Sequence, residues 1–546
     1  MKFPRRKFLL RSLTALGIGA ILGLSLGAVA SAQTQPYDLL LRNARIVDGT
    51  GNPSYRGDVA IRGDTIARIA PSISEAATRV IDLGGLVLAP GFIDVHTHAS
   101  RGIFEVPTAG NYLRQGVTTI MEGPDGRSPI PLAPFLAKLS ALPKSVNIGT
   151  FIGQGSVREA VIGEVDRRPS AAELDRMRAL VEQGMKDGAF GLSSGLFYVP
   201  GIFTQHEEVA ELAKVAGRLG GYYNSHMRDE ASRVVESVKE TIAVGEQGGL
   251  PTQVSHHKVI GTPNWGRSVE TLRLIDEARA RGVDATIDQY PYTASSTSIQ
   301  GALVPAWVQE GGRARMLGRL KDPVTRAKAK VEIAENLRTE RGGGDLTKVV
   351  ITVCEWNESL AGKNLAEVTK QRGMDATMEN GAETVMWLVE QGLCRGVYHV
   401  MDEEDLERIL RHPATMIASD GEVPLVGTPR AGMPHPRSYG TFVRVLARYV
   451  RERKTITLED AVRKMSSFPA QRLGLMDRGV IRPGLKADLV VFDPALVRDT
   501  ATFEQPHQYA EGVPFVIVNG QIAVEQGAIT AARPGKVLYG LGKAEN

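Results

Sequence analysis

Two histidines one residue apart, His96 and His98, follow an apolar run in "GFIDVHTHAS", with Asp94 two positions before the first. On a strand, residues i and i+2 point to the same face, so both imidazoles project together. A buried strand end has little use for two imidazoles of its own, whereas zinc and similar ions take neutral imidazole readily. Three further segments carry a related signature. "YYNSHMRDE" ends an apolar stretch on His226, "QVSHHKV" ends one on His256, His257 and Lys258, and "MIASDG" ends one on Asp420. Each alone is a weak signal. Together, histidines and a carboxylate at successive strand ends predict a metallohydrolase centre held by His96, His98, His226, His256 and Asp420. A metal ion there lowers the pKa of water and polarises a carbonyl oxygen, which a poor electrophile such as an amide requires. The other histidines, His206, His399, His412, His435 and His507, read as structural or surface residues, with His435 near the site in sequence.

Strand ends scattered over more than 300 residues need a scaffold that gathers them. Strand candidates end in "GFIDVHTH", "GVTTIMEG", "VNIGTFIG", "AFGLSSG", "GYYNSHMR", "PTQVSHHK", "DATIDQYP" and "TMIASDG". Between several lie segments such as "AAELDRMRALVEQGMKDG" and "SVETLRLIDEARARG", with apolar residues three and four apart, the helical period. Eight strands alternating with helices are the pattern of an α/β (β/α)8 TIM barrel, where catalytic groups sit at the C-terminal strand ends. The barrel is expected over residues 89–474. The spacing fails once, between Pro291 and Thr415, which predicts an inserted lid at about 299–400. Both chain ends are rich in short β-like runs split by Gly, Asp and Asn. Residues 33–88 and 475–546 are therefore expected to pair into a small β-sandwich.

The 546 residues, 42% hydrophobic, suit one large barrel with an accessory module. The first 32 residues read as an export signal: basic "MKFPRRKFLLRS", apolar "LTALGIGAILGLSLGAVA", then small-residue "ASA". Arg5 and Arg6 suggest the twin-arginine type, hence a periplasmic or secreted bacterial protein; an ordinary secretory signal is the alternative. Without the five basic residues of that segment, 65 Lys and Arg become 60 against 61 Asp and Glu. A near-neutral mature chain gives no footprint for a nucleic-acid partner, and no membrane association is expected once the signal is removed. Cys354 and Cys394 could form one disulfide in an oxidising compartment or remain two buried thiols; their spacing does not decide. The oligomeric state stays open.

The histidine pair on the first strand, histidines on the fifth and sixth, and aspartate on the eighth resemble the amidohydrolase superfamily. Longer runs narrow this. "GAFGLSSGLFYVPG", "SHMRDE", "VSHHKVIG", "DQYPYTASST", "HPRSYGTFVRVLARYVRE" and the segment from "RKMSSFPAQRLGL" to "KADLVVFD" resemble the N-acyl-D-amino-acid deacylases over nearly all of the mature chain. The resemblance implies hydrolysis of small-molecule N-acyl-D-amino acids to a carboxylate and a free D-amino acid, with one or two Zn2+ ions per chain. It implies, with its strand-end position, that Asp420 is the general base. It also implies that Lys258, Tyr292 and Arg437 bind the α-carboxylate, a role that suits the planar arginine fork. The preference for the D enantiomer rests on resemblance alone.

One departure concerns the metal bridge. The family usually carries a bridging cysteine in a Gly-Asn-Cys-Gly run after the second strand. Here "TTIMEGPDGRSP" puts Asp125 at that position, with Glu122 at the strand end as the competing ligand and a simple tight turn as the third reading. No lysine stands where a carbamylated bridge would be expected. Gln154 stands where the family more often has histidine, and Arg228, two residues beyond His226, is placed to support a ligand carboxylate. Two other functions remain in view: an amidohydrolase acting on a cyclic amide or ureide, dihydropyrimidinase-like, and a non-catalytic periplasmic metal- or solute-binding protein. Lys258 and Arg437 favour an acidic acyclic substrate over the first, and the intact ligand set argues against the second.

Overall fold

The computed structural model of the chain describes residues 36–428 and 430–544. The expected signal segment lies outside the described residues.

The alternating middle of the chain forms two arcs of parallel strands. Phe92–Asp94, Val117–Glu122 and Asn147–Thr150 pair in that order. Ile152–Gly153, Gly191–Gly195, Tyr222–His226, Thr252–Val254, Ala285–Gln289 and Thr415–Ile417 make the second arc. Every residue of these strands is buried, as a parallel sheet covered on both faces demands. Parallel neighbours need crossover connections, and the helices Ala171–Asp187, His206–Arg218, Val234–Gly248 and Ser268–Ala280 supply them. The first of these starts on a capping box in which Ser170 and Glu173 satisfy each other's backbone N–H.

Hydrogen bonds run between the arcs at both junctions. Phe190 N donates to Thr150 O at 2.9 Å, and Asp420 N donates to His96 O at 2.9 Å. Just beyond the second junction, Thr97–His98 pairs in parallel with Gly421–Glu422. The latter contacts bring the first and last strand ends together.

Strands from the two β-rich ends of the chain pair within a single nine-stranded sheet. Its seam is Val87–Pro90 running antiparallel to Leu489–Phe492. Alternation along the seam serves two cores. Leu489 and Val491 pack with Leu39, Leu41 and Ile61, while Val490 and Phe492 face Phe92 and Phe442 of the middle region. A two-residue period is what lets one strand bury both faces against different partners.

The long gap after Pro291 holds an insertion. Ser295–Ser298, Cys394–Tyr398 and Val349–Cys354 form an antiparallel sheet in that order. The helices Arg313–Lys321, Pro323–Thr339 and Met378–Gln391 cover it, around a core that includes Met316, Ile333, Leu337 and Val385. The insertion thus begins a few residues before position 299. Cys354 and Cys394 face each other across the two strands and form a disulfide. Strand register, which the sequence spacing does not reveal, decides against two free thiols. Among the described residues, no helix is long and apolar enough to cross a membrane.

Candidate metal centre

Six side chains converge in two overlapping groups: His96, His98, Asp125 and Asp420, and Asp125, His226 and His256. Asp125 belongs to both. Its Oδ1 lies 3.4 Å from His96 Nε2, 3.7 Å from His226 Nδ1 and 3.5 Å from His256 Nε2; its Oδ2 lies 3.4 Å from His98 Nε2. Asp420 Oδ1 lies 3.1 Å from His98 Nε2 and 3.7 Å from His96 Nε2.

These residues fit a metal on their own chemistry. His96 Nε2, His226 Nδ1 and Asp125 Oδ1 are fully buried and make no hydrogen bond within the protein. Buried polar atoms left so cost about 1–3 kcal/mol each, and here both imidazole nitrogens lie within 3.7 Å of the Asp125 oxygen. The electrostatics also favour a cation. Burial alone would raise the Asp125 carboxyl, yet the neighbouring imidazoles of His96 and His226 hold it well below the usual range. Burial would depress His96, yet Asp125, Asp288 and Asp420 raise it well above its ordinary value. Nitrogen and carboxylate donors in this mixture suit zinc.

The backbone is bent to bring the donors in. Asp125, His256 and Asp420 all have positive φ, at 57°, 33° and 51°, conformations that cost roughly 1–3 kcal/mol each and concentrate at functional sites. The Asp125 turn is clamped by the "GLSSG" strand. Ser193 Oγ donates to Gly123 O at 2.6 Å and accepts from Gly126 N at 3.2 Å. A Cβ at Gly195 would fall 2.1 Å from the Asp125 carbonyl oxygen, so only glycine allows the turn this close.

An outer layer orients the donors. Asp94 Oδ1 accepts from His96 N at 3.2 Å and from Ser419 N at 3.0 Å, tying the first strand end to the last. Asp288 Oδ1 accepts from His256 N at 2.7 Å, and its Oδ2 lies 3.9 Å from His96 Nδ1. Glu230 is 3.2 Å from His256 Nδ1 and 3.7 Å from His226 Nε2, while accepting from Lys258 Nζ and, at 3.1 Å, from Arg341 Nη2. Carboxylates behind ligand imidazoles fix ring orientation and raise basicity. Sequence reasoning missed Glu230 and the role of Asp288. A charged residue inside the buried run "ATIDQ" is the signal that could have found Asp288.

The donors open on a cavity of about 360 Å³ whose wall includes Lys258, Tyr198, Tyr290, Arg341, Arg395 and Arg437. Arg437 is buried, pairs with Asp420 Oδ2 at 2.8 Å, donates to Ser296 O at 3.2 Å and lies 4.7 Å over the Tyr290 ring. His435 Nδ1 accepts from Arg437 N at 3.0 Å, so it braces this arginine. Arg341 and Arg395 come from the insertion and carried no local signal.

Several sequence expectations are placed differently. Tyr292 does not line the cavity. Its N–H donates to Tyr290 O at 3.1 Å, a tight turn after the strand end that folds the second tyrosine away. Its ring packs 4.7 Å under the Arg444 guanidinium, and Tyr290 takes the wall position. Glu122 stands outside the donor groups, accepting from Ser100 N at 2.9 Å and Ser100 Oγ at 2.7 Å. Arg228 pairs with Glu240 and the carbonyls of Ile202 and Thr204 rather than with a donor carboxylate. Gln154 is buried against Thr204 and Glu208, away from the cavity. His257 points the other way, to Thr271 Oγ1 at 2.8 Å.

The chain belongs to the amidohydrolase family, whose pattern it matches over residues 79–524. Among its relatives is the D-aminoacylase of Alcaligenes xylosoxydans xylosoxydans, 37% identical over 93% of this chain and 99% of that one. The N-acyl-D-glutamate deacylase of the same organism is 35% identical over 92% and 97%. The solved N-acyl-D-glutamate deacylase of Bordetella bronchiseptica, complexed with zinc and a phosphonate mimic of the tetrahedral intermediate, superposes with a TM-score of 0.79. It shares 33% identity over 92% of this chain and all of that one.

Proposed function

We propose that the protein is a zinc-dependent hydrolase of N-acyl-D-amino acids, releasing a carboxylate and a free D-amino acid. The observation that carries this is the sharing of one cavity by the histidine–aspartate donor groups and two buried cations, Lys258 and Arg437. Zinc held by His96, His98, Asp125, His226, His256 and Asp420 supplies polarisation of the amide carbonyl and acidification of water. Because Asp125 belongs to both donor groups, the site accommodates one ion or two adjacent ions.

The protein's own groups do the rest. Arg437 beside Asp420 helps hold its carboxyl far below the usual range against the opposing effect of burial, so Asp420 is a carboxylate at neutral pH. It accepts a proton from the attacking water and returns it to the departing nitrogen, which leaves as the amine. Lys258 and Arg437 hold the α-carboxylate of the leaving amino acid, and Tyr290 backs both cations. The cations favour this reading over a cyclic amide, which offers them no carboxylate. The preference for D substrates follows the relatives' names.

The finer architecture is proposed in the same sense. The arcs close into a (β/α)8 barrel over residues 89–474, with the insertion as a lid and the nine-stranded sheet as the accessory sandwich. Export by the twin-arginine route is proposed from the order of basic, apolar and small residues in positions 1–32, and a disulfide suits an oxidising compartment. The direct experiment measures zinc per chain and hydrolysis of N-acetyl-D- and N-acetyl-L-amino acids. Zinc-dependent cleavage of the D series is expected. A chain that binds no zinc, or cleaves the L series faster, overturns the assignment.

A further inference from the structure

The cations of the cavity wall are unequally satisfied. Lys258 and Arg341 pair with Glu230, and Arg437 pairs with Asp420. Arg127 is held by Glu159 and the Val199 carbonyl, and Arg313 by the carbonyls of Val389 and Glu390. Arg395 stands apart. Its guanidinium makes no hydrogen bond to the described residues, and its nearest carboxylate, Glu422, is 4.0 Å away. Glu422 is shared with Arg101, which it meets at 3.2 Å. Only 22% of the Arg395 side chain is exposed, and it lines the cavity.

Its anchorage is firm. Arg395 sits opposite Ser298 on the insertion sheet, and Ser296 of the same edge strand holds Arg437 through its carbonyl. The neighbouring Cys394 is fastened to Cys354. Arg395 is thereby rooted in this small sheet, Arg437 reaches the same sheet from its own helix, and the two present separate guanidinium forks to the same cavity. Burial, then the Arg101 charge, pulls the Arg395 guanidinium down to about 10, which leaves it a cation at neutral pH. A planar five-donor fork, mostly withdrawn from water, without a hydrogen bond and with only the long ion pair to Glu422, matches a carboxylate bidentately.

We infer that Arg395 is a specificity-determining residue that receives a second carboxylate of the substrate, so the protein favours doubly anionic N-acyl amino acids. This rests on the deacylase reading above. The second carboxylate stands either on the amino-acid side chain, as in glutamate or aspartate, or on the acyl group, as in a succinyl amide.

The test compares kcat/KM of the zinc-loaded protein on pairs matched in shape. N-acetyl-D-glutamate is set against N-acetyl-D-glutamine, and N-succinyl-D-leucine against N-pentanoyl-D-leucine. One diacid is expected to exceed its neutral counterpart on the order of 10- to 100-fold, the scale of a charge-assisted hydrogen bond. Which pair shows the preference identifies the end of the substrate that Arg395 meets. Arg395→Gln should collapse that ratio toward one, and Arg395→Lys should retain part of it. Equal rates within both pairs overturn the inference while leaving the deacylase reading intact. A preference that survives Arg395→Gln overturns it as well. The wild-type comparison stands even if a variant does not fold. Cleavage of none of the four compounds overturns the deacylase reading and this inference with it.

Discussion

The strand-end wall of the cavity and the insertion wall are built on different principles. His96, His226, His256 and Asp420 stand at or just past the ends of buried parallel strands, and the donors nearest them are held by backbone geometry and buried carboxylates. Arg341 and Arg395 come from the insertion, whose helices, separate core and disulfide set their positions. The difference teaches a division of labour. A metal site needs donors placed to within tenths of an ångström, which rigid strand ends provide. A substrate wall needs variety, which an insertion can supply without disturbing the scaffold beneath.

That comparison is broken most severely at the strand-end wall. Asp125→Ala removes the one carboxylate common to both donor groups. Zinc content is expected to fall and kcat/KM to drop by more than about 100-fold, since even loss of an outer partner costs 10- to 100-fold. A variant that keeps its zinc and acts within tenfold of the parent would show that the wall is not organised about Asp125.

Arg437→Ala tests the residue that joins the two walls. It breaks a buried pair with Asp420, a class of truncation worth about 2–5 kcal/mol, and removes half the proposed clamp. Activity on N-acyl-D-amino acids should fall roughly 100-fold or more. The fall should be smaller on an N-acyl amine lacking the carboxylate, where only the freed Asp420 matters. Equal losses on both would exclude the clamp.

Replacing Cys354 and Cys394 together by Ser addresses the insertion alone. The loss is expected to be about 2–4 kcal/mol, read as a lower melting temperature, with KM raised and zinc per chain unchanged. Loss of zinc would mean the walls are not independent. The smallest effect is expected from Glu122→Gln, which changes only the contact with Ser100. Zinc content should hold and kcat/KM stay within a few-fold; a drop like that of Asp125→Ala would return Glu122 to the ligand set.

Much of the centre was legible before any fold was known. His96, His98, His226, His256 and Asp420 announced themselves because polar donors at the ends of apolar strands are conspicuous. Asp125 was one of three readings of a turn, and its carboxylate stands among the donors because positive φ there and the close approach of Gly195 swing it inward. Tyr290 and Tyr292 could not be told apart, since the turn that separates them depends on one hydrogen bond after the strand end. Glu230 looked like any surface glutamate in text, and its burial against Lys258 and Arg341 is a long-range fact.

By itself the sequence determined the periodic part of this protein: which segments are strands, which donors end them, and that both chain ends are β-rich. These follow from short-range steric rules, a two-residue period for strands and a helical one for crossovers, which act between near neighbours. Only the tertiary structure decided which carboxylate is shared, which tyrosine lines the cavity, that the cysteines pair and that Arg395 is left without a hydrogen bond. Each depends on contacts between residues far apart in the chain, such as Asp94 and Ser419 at a separation of 325. Local preference carries no information about which distant surface will close over a side chain.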